Sequence, residues 1–353
     1  MSKILNQKLN KQYIGIFDNI SSFSNIEHYP TQVSTIRIGN YKFEVSCLSC
    51  MFPNCMKYRD DEIEACSKIF KDFPIDANNF VCPTGALTWE KNETYPEINK
   101  DLCISCGLCA SRCPIGAIYL DKAGAAISTV SKIVKIVQAN VDNIKIHETL
   151  LNALQKVKHI GVMIEESETL FSEIYNKMSI IKTEAQFPNI LTRNLLIQTG
   201  NRCFIRRRGD VYLRIDALME LSNEMAGIIE IEFNKDSLES PRAILDDIAV
   251  LISRYGIEPS SIIPFIVSFE FPNIRTEYWR VIKDINNILK IKINSLSIGA
   301  LMLFVWNFQK VDFIKNSFYA DVDNSSIREV AETIVTRKIN TTSETCAVFE
   351  TKK

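Results

Sequence analysis

The residues best suited to chemistry in this chain are its cysteines, and nine of the 11 lie between Cys47 and Cys113. Four of them form the run C-x2-C-x2-C-x3-C-P, from Cys103 to Pro114. An odd, clustered set of cysteines in a chain without a secretion signal indicates metal binding rather than disulfide bonds. The close spacing lets three sulfur atoms converge from one tight loop, so we expect a thiolate-ligated metal centre there.

Carboxylates on two neighbouring predicted strands form a second candidate group. Asp216 lies on one strand, and Glu230 and Glu232 share one face of the next. Three carboxylates on adjacent antiparallel strands repel each other unless a cation lies between them. Hard oxygen ligands suit Mg²⁺ or Mn²⁺, and phosphoryl transfer is the main chemistry that needs such a cluster. The competing interpretation is a solvated sheet face whose carboxylates pair with nearby arginines.

The cysteine-rich stretch resembles the bacterial-type two-cluster ferredoxins. The segment C-P-T-G-A-L that starts at Cys82 is echoed by C-P-I-G-A-I at Cys113, which is similar to the internal repeat of that family. The resemblance implies two [4Fe–4S] clusters with crossed ligands. The first cluster would be held by Cys47, Cys50, Cys55 and Cys113, and the second by Cys103, Cys106, Cys109 and Cys82.

The first half of this module departs from the family spacing. Four residues separate Cys50 from Cys55, and an insertion that carries Cys66 precedes Cys82. A [3Fe–4S] first cluster, or recruitment of Cys66, is therefore an alternative. A pair of zinc sites is the competing interpretation for the whole module. Zinc pairs usually show two C-x2-C halves with a longer spacer, so the spacing favours iron–sulfur clusters.

The second half of the chain, about residues 180–310, resembles the restriction-endonuclease-like (PD-(D/E)xK) nucleases. The matching stretches are Arg214–Ala217 and Ile229–Asp236, in the BamHI-like variant with a second glutamate in place of lysine. The resemblance implies a Mg²⁺-dependent DNA endonuclease of restriction or defence type. Its catalytic residues would be Asp216, Glu230, Glu232 and the auxiliary acid Glu184, and its metal set would be Asp216, Glu230 and Ile231.

Arginines concentrate beside these strands. Arg206, Arg207 and Arg208 are interpreted as contacts to the phosphates of double-stranded DNA, the plain alternative being an ordinary strand end at the surface. Many nucleases of this fold act as homodimers that cut both strands, so a homodimer is the implied assembly. Two rival hypotheses are a ferredoxin-type electron carrier with a redox partner and a C-terminal docking domain, and a binder of modified DNA that does not cut.

These sites predict a multidomain chain of α+β and α/β class. In it, a ferredoxin-like iron–sulfur module is joined to an α/β restriction-endonuclease-like core. The predicted organisation is a β leader (1–40), the two-cluster module (41–122), a helical connector (123–178), the nuclease domain (179–310), and a C-terminal helix and tail (311–353). Residues 1–10 lack the apolar run of a signal peptide, and no apolar run is long enough to span a bilayer. We therefore expect a soluble, cytoplasmic protein without membrane contacts.

Hydrophobic periodicity and turn residues predict the elements that position the sites. A hairpin is expected from Ser34–Ile38 and Tyr41–Val45 around Gly39-Asn40. The other predicted strands are Asn201–Arg206, Val211–Leu218, Gly227–Phe233, Ile262–Phe271 and Ser297–Phe308. The predicted helices are Glu184–Ile197, Ser240–Tyr255, Arg275–Leu289 and Asp321–Lys338, with residues 123–183 helical and Thr341–Lys353 a loose tail.

Overall fold

The computed structural model describes residues 34–38, 41–45, 53–65, 70, 72–89, 96–113, 118–120, 127–129, 162, 164–181, 186–210, 213–233 and 237–352. The chain divides into two compact units. Unit 1 comprises residues 1–57 and 80–165, and unit 2 comprises residues 58–79 and 166–353. This division departs from the predicted organisation, because residues 58–79 leave the cysteine module and join the C-terminal unit.

Within its described residues, unit 1 has three short antiparallel strand pairs and one short helix. Strands β1 (Ser34–Ile38) and β2 (Tyr41–Val45) pair with Ile38 opposite Tyr41, so the predicted hairpin pairing is confirmed, while its predicted turn, Gly39-Asn40, lies outside the described residues. The other pairs are β3 (Leu87–Thr88) with β4 (Glu97–Ile98), and β5 (Ile118–Leu120) with β6 (Ile127–Thr129). The helix that follows the central cysteines is α2 (Leu108–Arg112), α1 (Asp60–Ile63) being part of unit 2.

Strand β6 corrects the prediction that residues 123–183 are helical throughout. Two of its three residues, Ile127 and Thr129, are β-branched and fit a paired strand better than a helix turn. Helix α3 (Glu168–Ile180) does form within the predicted helical stretch, opened by Ser167, whose side chain accepts a hydrogen bond from the Leu170 N–H at 3.1 Å. Residues 130–161, between these elements, lie outside the described residues.

Unit 2 contains a five-stranded mixed sheet with the order β11-β10-β9-β8-β7. Its strands are β7 (Arg202–Ile205), β8 (Ala217–Glu220), β9 (Ala226–Glu232), β10 (Ile262–Ser268) and β11 (Asn294–Ser297). The first three form an antiparallel meander, and β9, β10 and β11 are parallel. Parallel neighbours need crossover connections, which here are the helices α5 (Ser240–Tyr255) and α6 (Tyr278–Leu289).

Helices cover this sheet and enclose its core. Helix α4 (Phe187–Gln198) packs against β7, β9 and the fully buried α7 (Ile298–Trp306), whereas α5 packs on β9 and β10 and meets α6. Helix α8 (Arg328–Val335) packs against α7. In the part of the chain that the structure describes, none of the helices combines the length and apolar character needed to cross a membrane.

Two predicted strands of unit 2 begin or end elsewhere. The predicted strand Ser297–Phe308 is wrong, because β11 ends at Ser297 and a helix follows. The Ser297 hydroxyl accepts a hydrogen bond from the Ala300 N–H at 3.1 Å and so caps that helix. A continuous apolar run carries neither the period of a helix nor that of a strand, which is why periodicity could not identify it. The predicted strand Val211–Leu218 is wrong for residues 213–216, since β8 begins only at Ala217; Val211 and Tyr212 lie outside the described residues.

The predicted loose C-terminal tail is wrong as well, because it is packed. The Glu168 carboxylate accepts hydrogen bonds from the backbone N–H groups of Thr342, Ser343 and Thr345 at 2.7, 2.5 and 3.2 Å. Residues 346–349 behind them are buried, with Val348 and Phe349 fully enclosed. The helix predicted at Asp321–Lys338 is confirmed only for Arg328–Val335.

The segment 58–79 belongs to unit 2 because it is bonded to α4 and to the end of β7. The Arg193 guanidinium on α4 donates a hydrogen bond to the Asn78 carbonyl at 2.7 Å, and the Tyr58 hydroxyl donates to the Asn194 carbonyl at 3.1 Å. Ile75 forms an antiparallel bridge with Arg206, directly after β7. The insertion between the two predicted halves of the cysteine module is therefore a structural part of the sheet domain.

Candidate functional site

The first candidate site is a pocket in unit 1 lined by four cysteines. Cys82, Cys103, Cys106 and Cys109 all border it, together with apolar side chains such as Leu87, Ile98, Ile104 and Leu108. Cys103, Cys106 and Cys109 are each only 6% exposed. These four cysteines are the set that the ferredoxin resemblance implies for the second cluster, and the structure brings them together.

Two left-handed backbone positions shape the loop that carries three of these sulfurs. Ser105 has φ 56° and Gly107 has φ 82°, and α2 begins directly after Gly107. A glycine adopts this conformation without steric cost, so the chain can turn sharply between Cys106 and Cys109. In the Cys82 loop, Gly85 has φ 68°, which fits the tight turn of the C-P-T-G segment.

Burial and crowding make this pocket a poor place for uncompensated thiolates. Burial raises the pKa of Cys106 far above its ordinary value, and negative charge at Cys82 and Cys103 adds to the shift. Burial likewise raises the pKa of Cys109, with further contributions from Cys106, Cys82, Cys103 and Cys55. A positively charged iron–sulfur core would compensate this crowding of thiolates, so the donor set fits such a cluster.

The predicted ligands of the other cluster are only partly described. Cys55 and Cys113 are buried, at 6% and 3% exposure. A hydrogen bond connects the residues directly before these two cysteines: the Arg112 side chain donates to the Asn54 carbonyl at 2.7 Å. Cys47, Cys50 and Cys66 lie outside the described residues, so the ligand set of this cluster stays a prediction.

The second candidate site is in unit 2, where β8 and β9 carry the predicted carboxylates. Asp216 directly precedes β8, and Ala217 pairs with Ile229, which places Asp216 beside Glu230. The Asp216 carboxylate accepts hydrogen bonds from the Ile231 backbone N–H at 3.1 Å and from the Asn189 amide at 3.5 Å. Asp216 is therefore held by side-chain hydrogen bonds just outside the strand ladder, which corrects its predicted place within a strand.

Electrostatic coupling shows that the carboxylates share one neighbourhood. Burial raises the pKa of Glu230 to about 8, and the charges of Asp216, Asp247 and Glu232 add to the shift. Burial also raises the pKa of Asp216, and the charge of Glu232 adds to this rise. The hydrogen bond from the Ile231 N–H and the charge of the Arg206 guanidinium lower the pKa and offset part of the rise. The strand register thus places Asp216 beside Glu230, with Glu232 two residues farther along β9, as their strand positions predicted.

Asp247, on α5, is a member of this group that the sequence analysis missed. It is 2% exposed, and burial together with Asp216 raises its pKa to about 6. Its flanking residues Ile244, Ile248 and Leu251 form the buried face of the helix. An acidic residue on the apolar face of an amphipathic helix is the signal that would have identified it.

The donor sets at the two sites differ in the metal that they suit. In the described ranges, no three His, Cys, Asp or Glu side chains already converge on a geometry for a single metal ion. A [4Fe–4S] cubane is wider than one ion, so its thiolate ligands stand farther apart. The carboxylates offer hard oxygen donors, the ligand type that suits Mg²⁺ or Mn²⁺.

The remaining predicted site residues take varied positions. Ile231 is buried and offers no side-chain donor; its backbone N–H instead fixes Asp216, which corrects its place in the metal set. Glu184 lies outside the described residues. The Arg206 side chain turns inward and donates a hydrogen bond to the Leu213 carbonyl. Arg207 and Arg208 are exposed, and Arg207 lies 3.9 Å from Asp210.

Comparison with known proteins identifies the cysteine module. Residues 96–119 match the 4Fe-4S binding domain family. Two uncharacterized ferredoxins of Methanocaldococcus jannaschii are 49% and 42% identical over 41 and 40 residues, 12% and 11% of this chain and 24% and 25% of those proteins. Pyruvate synthase subunit PorD of Methanothermobacter marburgensis is 39% identical over 54 residues, 15% of this chain and 60% of that subunit.

The chain therefore carries a ferredoxin-type 4Fe-4S binding domain, which confirms the iron–sulfur prediction for the Cys103–Cys113 run. The match spans about a quarter of the length of the two ferredoxins and less than two thirds of PorD. No solved structure matches the chain. The number of clusters and the resemblance of unit 2 to nucleases stay predictions.

Proposed function

We propose that this protein is a two-cluster iron–sulfur protein whose unit 2 is a Mg²⁺-dependent endonuclease acting on double-stranded DNA. The observation that carries the proposal is that Asp216, directly before β8, lies beside Glu230 on β9, with Glu232 two residues farther along the same strand. Buried carboxylates rarely cluster in a protein unless a bound cation or a proton neutralises their charge. The sequence of helix, antiparallel meander, helix and parallel strand supports the same proposal.

Each carboxylate has a distinct part in the proposed reaction. A bound Mg²⁺ would polarise the phosphodiester and lower the pKa of a coordinated water. Asp216 and Glu230 would hold the ion, and the Ile231 N–H already orients Asp216 through a hydrogen bond of 3.1 Å. Glu232, two residues beyond Glu230 on the same strand, would orient the attacking water and accept its proton.

The exposed turn after β7 would meet the DNA. Arg207 and Arg208 lie at its surface, where guanidinium groups can contact backbone phosphates. Arg206 acts differently, because its inward side chain brings positive charge to Asp216. A homodimer would let the two copies cut opposite strands.

Unit 1 would hold two [4Fe–4S] clusters, with [3Fe–4S] as the alternative for the first. A small cysteine-rich module gains much of its folding free energy from its metal, so a structural role for the clusters is favoured. Redox sensing by the same clusters would give the nuclease a means of control.

A second candidate function is electron transfer to a redox partner. The 4Fe-4S domain supports it directly, and one relative is named as a subunit of pyruvate synthase. In that case the clusters would exchange electrons with a partner enzyme, and unit 2 would be a docking domain. Substitution of the carboxylates would then leave every redox property unchanged.

The test is cleavage of plasmid and linear duplex DNA, modified and unmodified, by anaerobically purified full-length protein. Cutting should require Mg²⁺, stop on addition of a chelator, and fall strongly in Glu230→Gln. Glu239→Gln is the matched control, because Glu239 is an exposed carboxylate of the same unit, 3.1 Å from Arg242. Absence of cutting by iron-loaded protein on every duplex would refute the proposal and favour electron transfer, whereas DNA binding without cutting would favour a non-cleaving binder.

A further inference from the structure

One carboxylate oxygen in unit 2 is buried without a hydrogen-bond partner. Asp247 is 2% exposed, and its Oδ2 has no hydrogen-bond partner among the described residues. It lies on the face of α5 that also buries Ile244, Ile248 and Leu251. Removing a carboxylate from water without a partner is costly, so such an atom calls for a specific explanation.

The groups that face Asp247 do not supply that partner. Asp216, Glu230 and Asp246 are negative and repel it, while the positive charges of Arg214 and Arg206 attract it. Arg214 lies 3.7 Å from Asp246, both largely exposed, and the Arg206 guanidinium is bonded to the Leu213 carbonyl. Asp247 therefore adds a negative charge to the Asp216–Glu230 side of the sheet instead of neutralising one.

We propose that Asp247 is a further ligand of the carboxylate site, so that a hard divalent cation is held jointly by Asp216 and Glu230 from the sheet and by Asp247 from α5. The inference rests on the cation site of the proposed function and is independent of whether that site cuts DNA. It makes α5 part of the binding machinery, since this helix supplies a donor atom as well as a covering for the sheet.

The chemistry of the donors defines the class of cation. All three side chains offer carboxylate oxygens, which suit Mg²⁺ and Mn²⁺ and not the softer metals that prefer sulfur or imidazole. Donors from a strand, a strand end and a helix approach the ion from different directions. A purely structural buried acid would instead be satisfied by a backbone N–H or a cation, as Glu166 is in the same unit by the Asn340 N–H and Arg337.

The experiment measures Mn²⁺ binding by electron paramagnetic resonance on full-length, iron-loaded wild type, Asp247→Asn and Asp246→Asn. Asparagine keeps the shape of the side chain and removes the charge. We expect Asp247→Asn to raise the Kd for Mn²⁺ by about tenfold or more. Asp246→Asn removes the same charge from the neighbouring, 71% exposed side chain and should change the Kd by less than about twofold.

Thermal unfolding separates a ligand from a structural residue. Without cation, Asp247→Asn should keep or raise the wild-type Tm, because it removes an unpaired buried charge, and Mn²⁺ should then stabilise it much less than wild type. A Kd unchanged by Asp247→Asn overturns the inference, as does the absence of any Mn²⁺ binding by wild type. If both Asp247→Asn and Asp247→Ser fail to fold while Asp246→Asn folds, Asp247 is structural and the inference also falls.

The two proposals fail in distinguishable ways. Mn²⁺ binding that depends on Asp247, in a protein that cuts no duplex, would keep the cation site and remove the nuclease. Mg²⁺-dependent cutting by wild type with unchanged Mn²⁺ affinity in Asp247→Asn would keep the nuclease and remove Asp247 from its site.

Discussion

The thiol pocket of unit 1 and the carboxylate cluster of unit 2 meet the same physical problem by different routes. Both gather groups that repel each other once ionised, in surroundings that exclude water. The pocket draws three of its four described cysteines from one short loop, Cys103–Cys109. The cluster takes its members from a strand end, a strand and a helix. A metal centre whose ligands lie close together in the sequence can be identified from their spacing. A site whose residues come from distant segments can be identified only when the topology is known.

The largest expected effect lies in the thiol pocket. Replacing Cys106 by serine removes a thiolate ligand, so we expect loss of the iron bound at that pocket and of the associated visible absorption. Iron analysis and absorption spectra of anaerobic preparations measure this. Unit 2 should keep its cooperative unfolding transition, since the residues that line the pocket all belong to unit 1.

Cys203→Ser is the matched control for that substitution. Cys203 is fully buried in β7, and burial raises its pKa to about 12, so its thiol is unreactive at neutral pH. Serine there should cost about 1–3 kcal/mol of stability through burial of a hydroxyl and leave the iron content unchanged. Equal iron loss in both variants would contradict the assignment of the pocket.

The next largest effect is expected at the carboxylates. Glu230→Gln should lower the Mg²⁺-dependent cleavage rate by about 100-fold or more, because loss of a ligand costs at least as much as loss of its supporting contacts. The iron content should not change. Rates measured at saturating and limiting Mg²⁺ would show whether the loss lies in ion binding, which high Mg²⁺ rescues, or in the reaction step.

The ion pair between Glu166 and Arg337 gives a stability effect confined to unit 2. Burial alone would raise the pKa of Glu166, but hydrogen bonds from Arg337 and the Asn340 N–H outweigh it and leave the pKa below its ordinary value. This stabilisation is present above the ordinary pKa and is lost as the pH falls through the lower folded value. Glu166→Gln should cost about 2–3 kcal/mol at neutral pH, because it leaves Arg337, itself partly exposed, without its carboxylate.

Chemical denaturation at neutral and acidic pH measures this cost. The difference between wild type and Glu166→Gln should shrink in acid, since the wild-type carboxyl then loses its charge as well. A difference that persists unchanged in acid would mean that packing of the side chain at position 166, not the ion pair, carries the stability.

The carboxylate cluster should make stability depend on pH in the opposite sense. The pKa values of Glu230 and Asp247 are raised to about 8 and about 6, so folding favours their neutral forms. That contribution is present below their ordinary pKa values and is lost as the pH rises through about 6 and about 8. The Tm of cation-free protein should fall over this range, and Mn²⁺ should reduce the fall. An equal slope with and without Mn²⁺ would contradict a shared cation site.

The smallest expected effects concern the exposed arginines. Arg207→Ala and Arg208→Ala should each weaken DNA binding a few-fold and lower the salt dependence of log K by about one unit. Fluorescence anisotropy at several salt concentrations measures both quantities. Arg275→Ala, an arginine elsewhere on unit 2, is the control; an equal effect there would remove the turn after β7 from the DNA interface.

Much of this architecture was readable from the sequence where a local signal exists. The cysteine run predicted the 4Fe-4S domain, and helix α5 begins and ends where its opening Ser240-Pro241 and amphipathic period predicted. Strand β9 lies within a residue of its predicted bounds. In each case the determining interactions are between residues close in the chain, so the sequence contains them directly.

The errors arose where distant contacts decide the structure. Residues 298–306 form a helix whose Gly299 leaves room for the Tyr175 hydroxyl and for Val348, since a Cβ there would lie 2.6 and 2.8 Å from them. The tail is ordered by Glu168, far earlier in the chain. Asp247 joins the carboxylates only through packing of α5 on the sheet. No local sequence pattern indicates these contacts. They can be identified only once the order of the strands in the sheet is known.

The most direct test of the account measures cleavage and iron on the same anaerobic samples of wild type, Asp216→Asn and Cys106→Ser. We expect Asp216→Asn to retain the wild-type iron content and to lose Mg²⁺-dependent cutting of duplex DNA. Cys106→Ser should instead lose the iron held in its pocket before it loses cutting. Cutting by Asp216→Asn at the wild-type rate would contradict the account, because hydrolysis would then have no connection with the carboxylate cluster.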